Sequence, residues 1–201
     1  MSDTDKQAHP NVPIHELIAS RWSPYCFSTK PVAAADLHAI VEAARWAPSS
    51  YNEQPWRYIL AQSSDRVAYE KLLSCLVDGN QAWAKYAPVL TIGVVVTMFA
   101  RNGKPNRAAQ HDVGLAAGNI CAEATARGLY VHQMIGIVPE RVRELYGVPA
   151  EAEPLTAIAI GYRGDGAEMP EAMRELDGKP RTRRPVEEFV FAGTWQQPAK
   201  L

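Results

Sequence analysis

Residues 89–97 read VLTIGVVVT, and this stretch decides the fold. Seven of its nine residues are β-branched, and apolar side chains occupy both alternating sets of positions. Such a run predicts a central β-strand that is covered on both faces, because each set of side chains has to be buried against another layer. The run is about half as long as the ~20 residues that a membrane-spanning helix needs, so it does not predict a membrane span.

Helices and strands are predicted on both sides of this strand. Before it, the patterns indicate helices over residues 12–20, 36–46 and 65–77 and a strand over residues 56–61. After it, they indicate a long helix rich in Ala and Gly over residues 108–127, a helix over residues 140–146, and strands over residues 129–134 and 155–162. These elements do not form repeated strand–helix–strand units, so the sequence predicts an α+β fold in one domain that covers residues 1–201.

Residues 161–201 form a polar tail that is rich in Gly, Pro and charge as far as Arg184. Within it, residues 186–191 are predicted to form a last extended segment. The tail is too long and polar to pack simply against its own domain, so it is either loose or wrapped around a partner subunit. Wrapping is favoured because Phe189, Phe191 and Trp195 need a surface that buries them.

Composition and charge restrict the class of function. The chain of 201 residues is 47% hydrophobic and 21% charged, which is typical of a globular protein. Its 21 Lys and Arg against 22 Asp and Glu give a net charge of -1, so no basic surface for nucleic acid is predicted. Three widely spaced cysteines form neither a metal motif nor a disulfide framework, and the first ten residues lack the apolar run of a signal peptide. We therefore expect a cytoplasmic protein that acts on small molecules, with no nucleic acid and no membrane as partners.

The common catalytic motifs are absent from the sequence. It contains no Gly-x-Gly-x-x-Gly loop, no Gly-Lys-Ser/Thr phosphate loop and no Gly-x-Ser-x-Gly turn. The five histidines lack metal-ligand spacing, and His111 beside Asp112 is interpreted as structural because sequence neighbours on a helix point in different directions. No catalytic residue and no metal ligand is therefore predicted.

Three polar segments remain that suit the recognition of one ligand. They read SRWSPY at residues 20–25, APSSYNEQPW at residues 47–56 and RTRRP at residues 181–185. Taken singly they are a loop, a helix end with a turn, and an exposed basic tail. Taken together they offer guanidinium and hydroxyl groups for a phosphate monoester and polar groups for the edge of a heteroaromatic ring. The first set is Arg21, Ser23, Arg181 and Arg183, and the second is Ser49, Ser50, Asn52 and Gln54. A phosphate and a flat ring indicate a mononucleotide cofactor.

These segments resemble, in the same order, those of the nitroreductase family of FMN-dependent oxidoreductases. Residues 47–56 are close to the family's Ala-Pro-Ser-x-x-Asn-x-Gln-Pro-Trp, which is highly specific. The resemblance covers nearly the whole chain and extends through Arg21-Trp22-Ser23, Asn80-Gln81 with Trp83, Ala87-Pro88, Asp112-x-Gly114, Gln133-Met134-Ile135-Gly136, Ile160-Gly161-Tyr162 and Arg183-Arg184-Pro185.

The resemblance implies an α+β domain whose central, mostly antiparallel sheet is flanked by helices. It also implies an intertwined homodimer with C-terminal strand exchange, in which a strand near residues 186–191 joins the partner's sheet. Residues 161–201 would then be an extension that wraps the partner subunit. FMN would be bound at the subunit interface, with two sites per dimer, and NADPH or NADH would be the electron donor.

The family's cofactor-binding residues carry over to matching positions of this sequence. The resemblance assigns the phosphate to Arg21, Ser23, Arg181 and Arg183, the pyrimidine edge to Asn80, and the reactive N5 to the backbone N–H near Ile135. The full set expected from one subunit is Arg21, Trp22, Ser23, Tyr25, Asn80, Trp83, Gln133, Met134, Ile135, Gly136, Arg181 and Arg183. The other subunit is expected to contribute Pro48, Ser49, Ser50 and Asn52.

The resemblance implies an FMN-dependent NAD(P)H oxidoreductase that reduces a nitroaromatic, quinone or enone in a ping-pong cycle through the flavin. The alternatives are a flavin-binding or storage module with little turnover, a specialised dehalogenase-like relative, and a structural dimer without cofactor. The physiological acceptor and the choice between NADH and NADPH stay open. Arg101, Lys104 and Arg107 form a basic loop that either meets a 2′-phosphate or is simply solvated.

Two positions depart from the family pattern. Tyr25 stands where many members carry Lys or Arg, and it brings no positive charge to stabilise a reduced flavin. We therefore expect a lower flavin potential than in members with the base. Ile135 stands where members often carry Gly or an acid, so that side of the pocket is expected to be narrower or drier.

Overall fold

The computed structural model describes residues 6–167 and 169–200. Seven α-helices and four β-strands are found among these residues. The helices are α1 Glu16–Ser20, α2 Ala34–Arg45, α3 Arg66–Leu73, α4 Asp78–Ala84, α5 Ala109–Ala126, α6 Pro139–Tyr146 and α7 Glu171–Gly178. The strands are β1 Trp56–Gln62, β2 Val89–Val96, β3 Tyr130–Met134 and β4 Ala152–Gly161, and two 3-10 turns cover Ser50–Asn52 and Val186–Glu188.

The four strands form one antiparallel sheet in the order β1-β2-β4-β3. β2 lies at its centre and buries every residue but the last. Leu90 and Ile92 pack into one core with α3, α4 and α6, whereas Val89 and Val95 pack into a second core with α2 and α5. The predictions of an α+β fold and of a central strand covered on both faces are confirmed.

The long helix α5 packs against α2 on one side of the sheet. Asn119 of α5 donates a hydrogen bond to the Ala43 carbonyl of α2 at 2.9 Å, and Arg127 pairs with Asp36 at 2.9 Å. The face of α5 turned away from this core carries Gly114 and Gly118, and nothing lies within 4 Å of where a Cβ would stand at either position. α5 therefore offers an open surface of very small residues.

The helix predicted over residues 65–77 is wrong at its end. α3 stops at Leu73, and the backbone of the next residues pairs with the chain beyond β3, through a bridge between Leu76 and Ile137. The separate helix α4 follows, and the sequence did not predict it. This pairing brings α4 close to the end of β3, where several candidate cofactor residues lie.

The predictions near the two chain ends are also corrected in part. The helix predicted over residues 12–20 begins only at Glu16, where the His15 side chain accepts a hydrogen bond from the Leu17 N–H. α7 was not predicted at all. The extended segment over residues 186–191 is wrong in this chain, because Pro185 starts a 3-10 turn over Val186–Glu188. Strand exchange with a partner stays a prediction.

Among the described residues, no helix has the length and apolarity that crossing a membrane requires.

Candidate functional site

The segment after α1 presents alternate side chains to two different environments. Arg21, Ser23 and Tyr25 are half-buried, whereas Trp22 and Pro24 between them are buried. The ring of Tyr25 packs against Trp83 and His132, whereas Arg21 and Ser23 contact each other. Arg21 Nη1 donates to Ser23 Oγ at 3.3 Å. A cation and a hydroxyl are therefore presented side by side, as a phosphate would require.

Three guanidinium groups converge near this segment. Arg181 has a lowered pKa because it is partly buried and because Arg21 and Arg183 lie close by. Its Nη1 donates to the carbonyls of Lys6, at 2.8 Å, and Ala19, at 2.6 Å, which fixes its position. None of the three arginines forms an ion pair with a carboxylate among residues 6–167 and 169–200. Gathered cations without a counter-ion have the chemistry of an anion site.

The carboxylate of Asp177, near the end of α7, holds the backbone of the segment that follows Arg21 and Ser23. It accepts hydrogen bonds from the backbone nitrogens of Tyr25, at 2.8 Å, and Cys26, at 2.9 Å, and only 7% of Asp177 is exposed. Burial first, and then the contact with Asp177, raises the pKa of the Cys26 thiol to about 12. No signal in the sequence distinguishes Asp177 from the other acidic residues of the tail.

The loop between α2 and β1 is held in an unusual backbone conformation. Tyr51, Asn52 and Gln54 have φ values of 53°, 56° and 52°, a region that non-glycine residues rarely adopt. Gln54 N donates to Ser49 Oγ at 3.0 Å, and the Ser50 N–H donates to the Asp112 carboxylate at 2.9 Å. Strained backbone persists only where such contacts over-determine it, and it is concentrated at functional sites.

Asp112 is the second buried carboxylate that positions a candidate segment. It lies in the first turn of α5 and is 2% exposed. Through it, the loop is fixed with Pro48 and Asn52 exposed and Ser49 and Ser50 half-buried. The four residues therefore offer a preformed polar surface.

The end of β3 meets α4 at Gly136. Asn80 Nδ2 donates to the Gly136 carbonyl at 2.9 Å, and the Val77 N–H donates to the same oxygen at 3.1 Å. A Cβ on Gly136 would overlap Asn80 Nδ2 and come within 2.9 Å of Val77 Cγ2. Gly136 therefore permits the close approach of the two elements. Beside it, Ile135 is 80% exposed.

Three residues expected to contact the cofactor turn their side chains into the core. Trp83 is 1% exposed, with its ring 6.2 Å from Phe27 in a stacked arrangement. Its indole N–H donates to Asn80 Oδ1 at 3.3 Å. Trp22 and Met134 are 6% and 7% exposed. In the single chain these side chains lie under the candidate site, and their contact with the cofactor stays a prediction.

The segment around Arg21 runs beside β3. His132 of β3 hydrogen-bonds the Pro24 carbonyl through Nδ1 at 2.9 Å, and its ring lies 4.6 Å from that of Tyr25. Gln133, exposed on β3, donates to Cys121 Sγ at 3.3 Å. Burial raises the pKa of Cys121, and the charge of Arg21 opposes that shift, so Arg21 is near it. The arginine cluster and the end of β3 therefore adjoin.

One chain does not bring all the candidate residues together. Asp112, which holds Ser50, and Cys121, which lies near Arg21, are nine residues apart on α5. This spacing separates them by about 13 Å along the helix axis. The loop of residues 47–56 thus approaches the start of α5, whereas Arg21 lies near Cys121, about two and a half turns further along the helix. Two sets of candidate residues are formed, one at the start of α5 and one further along it.

The chain is similar to several known proteins in sequence and in fold. The family model described as "Nitroreductase family" matches residues 18–162. An uncharacterized 15.4 kDa protein of Mycolicibacterium smegmatis is 36% identical over 129 residues, which cover 63% of this chain and 84% of that protein. An FMN reductase [NAD(P)H] of Bacillus subtilis is 31% identical over 157 residues, covering 69% of this chain and 61% of that protein. A solved oxidoreductase containing FMN has 30% identity and a TM-score of 0.86, covering 94% of this chain and 96% of that chain.

Proposed function

This chain belongs to the nitroreductase family, and we propose that it reduces small acceptors such as nitroaromatics, quinones or enones. It is an NAD(P)H oxidoreductase that uses FMN, as the family match and the similar FMN-containing structure indicate. The acceptor class and the residue roles that follow are proposals. The observation that carries them is the position of Arg181, which the Ala19 carbonyl holds beside the Arg21–Ser23 pair and close to Arg183, with no carboxylate paired to these arginines among the described residues.

The FMN phosphate would be held by the three guanidinium groups and the Ser23 hydroxyl. A phosphate dianion relieves the mutual repulsion of three cations, which supports this assignment. Arg181 is already fixed by two backbone carbonyls, and Arg21 is in contact with Ser23. The donors are therefore oriented before the phosphate binds, which reduces the ordering cost of binding.

The flavin ring would lie over the end of β3. Asn80 uses its amide nitrogen on Gly136 and one lone pair of its oxygen on Trp83, so a second lone pair is left to accept a ring N–H. The exposed side chain of Ile135 offers apolar surface beside it. Pro48, Ser49, Ser50 and Asn52 of a second copy would reach the ring from the other side.

We propose a homodimer because one chain leaves the site incomplete. The two candidate sets meet α5 about 13 Å apart along its axis, so a loop of residues 47–56 from a second copy would complete the site at an arginine cluster. Gly114 and Gly118 leave a surface of α5 open for close packing. Phe189 and Trp195 are 62% and 82% exposed in the single chain, which supports a tail that packs on a partner.

FMN held by these residues would supply the redox chemistry that connects NADH or NADPH with the acceptor. The protein side chains bind and orient. Burial raises the pKa of the Cys26 and Cys121 thiols, so neither is available as a thiolate nucleophile. His132 is engaged with the Pro24 carbonyl, and burial lowers its pKa, so it stays neutral. We therefore assign no side chain as an essential acid or base.

We also propose a reducing, cytoplasmic location. The three cysteines Cys26, Cys75 and Cys121 are free and buried, and none forms a disulfide. A fractionation experiment with the untagged protein tests this location.

The test of the proposed function is the visible spectrum of the protein purified without added flavin. A yellow protein whose flavin bands bleach when NADH or NADPH is added without oxygen, and recover when a nitroaromatic or quinone is added, supports it. A flavin that stays oxidised under excess NADH and NADPH indicates a storage module instead. A colourless protein that also fails to bind added FMN overturns the proposal.

A further inference from the structure

An aromatic and cationic cluster stands next to the loop proposed to reach the flavin of a second copy. Tyr51 is 74% exposed, and the Arg101 guanidinium carbon lies 4.0 Å from the centre of its ring. The Phe99 ring meets Tyr51 edge-on at 5.8 Å and lies 5.2 Å from the same guanidinium. The exposed Tyr51 ring and Arg101 guanidinium therefore form one cluster with the half-buried Phe99 ring.

Backbone contacts hold this cluster in place. The turn that carries Phe99 and Arg101 is closed by hydrogen bonds from Phe99 N to the Lys104 carbonyl and from Gly103 N to the Phe99 carbonyl, both 2.8 Å. Glu53 Oε1 accepts the Ala100 N–H at 2.6 Å, which ties the turn to the loop of Tyr51. The cluster therefore moves with the residues 47–56 loop.

The charge of Arg101 has no ionic partner in the part of the chain that the structure describes. Glu53, on the adjoining loop, uses a carboxylate oxygen on a backbone N–H and forms no ion pair with Arg101. Lys104 and Arg107 add two exposed cations to the same turn. A guanidinium stacked on a ring keeps its N–H donors at its edge, where they can pair with a carboxylate or a phosphate.

Tyr51 lies between Ser50 and Asn52, which the proposed function assigns to the flavin of a second copy. We propose that Arg101, held over Tyr51, recognises an anionic group on the planar acceptor, which makes aromatic carboxylates the preferred acceptor class. The ring of the acceptor would stack over the flavin, and its carboxylate would meet Arg101. This inference rests on the proposed function, because it places Tyr51 beside a flavin site.

The Arg101 guanidinium could also bind the 2′-phosphate of NADPH. The experiment therefore distinguishes an acceptor carboxylate from the NADPH phosphate as its ligand. Wild type, Arg101→Gln and the matched control Lys104→Gln are assayed with 4-nitrobenzoate and with 4-nitrobenzamide, which share size and shape and differ in charge. The donor is then varied between NADH and NADPH at a fixed neutral acceptor. Binding is read separately by titrating benzoate and benzamide against the oxidised holoprotein and following the flavin absorbance.

For Arg101→Gln we expect the ratio of kcat/KM for nitrobenzoate over nitrobenzamide to fall about fivefold, as for one partly exposed charge pair. The affinity for benzoate should fall relative to that for benzamide by a similar factor. Lys104→Gln removes a positive charge from the same turn, but Lys104 does not lie over Tyr51. Its kcat/KM ratio for nitrobenzoate over nitrobenzamide and its affinity ratio for benzoate over benzamide should therefore stay within about 1.5-fold of wild type.

Each other outcome overturns the inference in a distinguishable way. If the kcat/KM ratio and the affinity ratio are both unchanged in Arg101→Gln while nitrobenzamide is still reduced, Arg101 does not bind the acceptor carboxylate. The proposed function then stands without this inference. If only the preference for NADPH over NADH falls, Arg101 belongs to the 2′-phosphate. If Arg101→Gln and Lys104→Gln act alike, the effect is general electrostatic attraction. A protein that neither retains FMN nor binds it when it is added overturns the proposed function and the inference with it.

Discussion

Asp177 and Tyr25 are 152 positions apart in the chain, and the Asp177 carboxylate accepts a hydrogen bond from the Tyr25 backbone nitrogen at 2.8 Å. The second carboxylate oxygen accepts the Cys26 N–H at 2.9 Å. These two hydrogen bonds tie α7 to the segment that carries Arg21. Arg181 follows Asp177 by four residues, so the same contact also positions Arg181. One buried carboxylate thus sets how the two arginines that flank the proposed phosphate site stand relative to each other.

Replacing Asp177 with Asn is expected to destabilise the fold and to weaken FMN binding. An amide has one oxygen for two backbone N–H groups, so one buried donor loses its partner at a cost of about 1–3 kcal/mol. Urea unfolding gives the change in the free energy of unfolding, and flavin fluorescence gives the FMN dissociation constant. Glu175→Gln, on an exposed position of α7, is the control and should match wild type. An unchanged midpoint and an unchanged FMN affinity in Asp177→Asn would contradict the role given to this carboxylate.

Gly136→Ala is expected to disturb the contact between α4 and the end of β3. The added Cβ meets Asn80 Nδ2 and Val77 Cγ2, so the Asn80 amide has to move. Forcing such overlap costs about 1–3 kcal/mol, and the flavin absorbance maximum and FMN affinity should change with it. Gly79→Ala is the matched control, because nothing lies within 4 Å of a Cβ there. If both variants bind FMN like wild type, Gly136 is not needed for this approach.

The sequence was sufficient for the elements whose burial is local and periodic. β2 and the helix α5 were predicted because the residue pattern that forms each of them lies within the segment itself. α4 was missed because its sequence, DGNQAWA, has weak helix formers and depends on the burial of Trp83. α7 was missed because the Gly-, Pro- and charge-rich stretch that contains it was interpreted as an irregular tail, although Met173 and Asp177 show helical spacing.

The candidate site was predictable only in part. Arg21 and Ser23 could be named from residue type and spacing, and their common orientation follows from the alternation of an extended segment. Asp112 and Asp177 act through backbone N–H groups that are distant in sequence, so no local pattern marks them. The 186–191 segment was wrong because a turn started by Pro185 decides its conformation.

Arg21→Gln is expected to weaken the binding of FMN far more than that of riboflavin. The two ligands differ by the phosphate, so a residue that holds the phosphate discriminates between them. Loss of one charge-assisted contact should reduce FMN affinity about tenfold, while riboflavin affinity changes less than about twofold. Both affinities are measured by fluorescence titration of the apoprotein. Arg66→Gln, on exposed α3, removes the same charge elsewhere and should change neither. Equal losses for both ligands would mean that Arg21 acts through the fold and not on the phosphate.

The stability of the protein is expected to fall on acidification partly through His132. Burial lowers the pKa of His132, so the unfolded chain takes up this proton at a higher pH than the folded chain does. The free energy of unfolding therefore declines as the pH falls below about 6.5, the ordinary value for histidine, and levels off below the lowered value. His132→Gln, unfolded in urea at a series of pH values, should lose stability less steeply over that range.

His38→Gln provides the control for this titration, since His38 is exposed on α2. Its pH dependence should follow that of wild type. The nearby charge of Asp177 opposes the lowering of the His132 pKa. Asp177 is therefore kept unchanged in both histidine variants when the pH dependence of unfolding is compared. Identical slopes in wild type and His132→Gln would show that His132 does not contribute to the acid sensitivity.

Tyr25→Lys is expected to raise the midpoint potential of the bound flavin. The ring of Tyr25 lies 5.1 Å from Trp83 and 4.6 Å from His132, on the segment proposed to face the cofactor, and it carries no positive charge there. A lysine at this position would stabilise the negative charge that a flavin gains on reduction, and about 1.4 kcal/mol of such stabilisation corresponds to about 30 mV for two electrons. Tyr25→Phe keeps the ring without the hydroxyl and serves as the control. Potentials are measured by equilibration with a reference dye, and a Tyr25→Lys value equal to that of Tyr25→Phe would rule out the electrostatic role of this position.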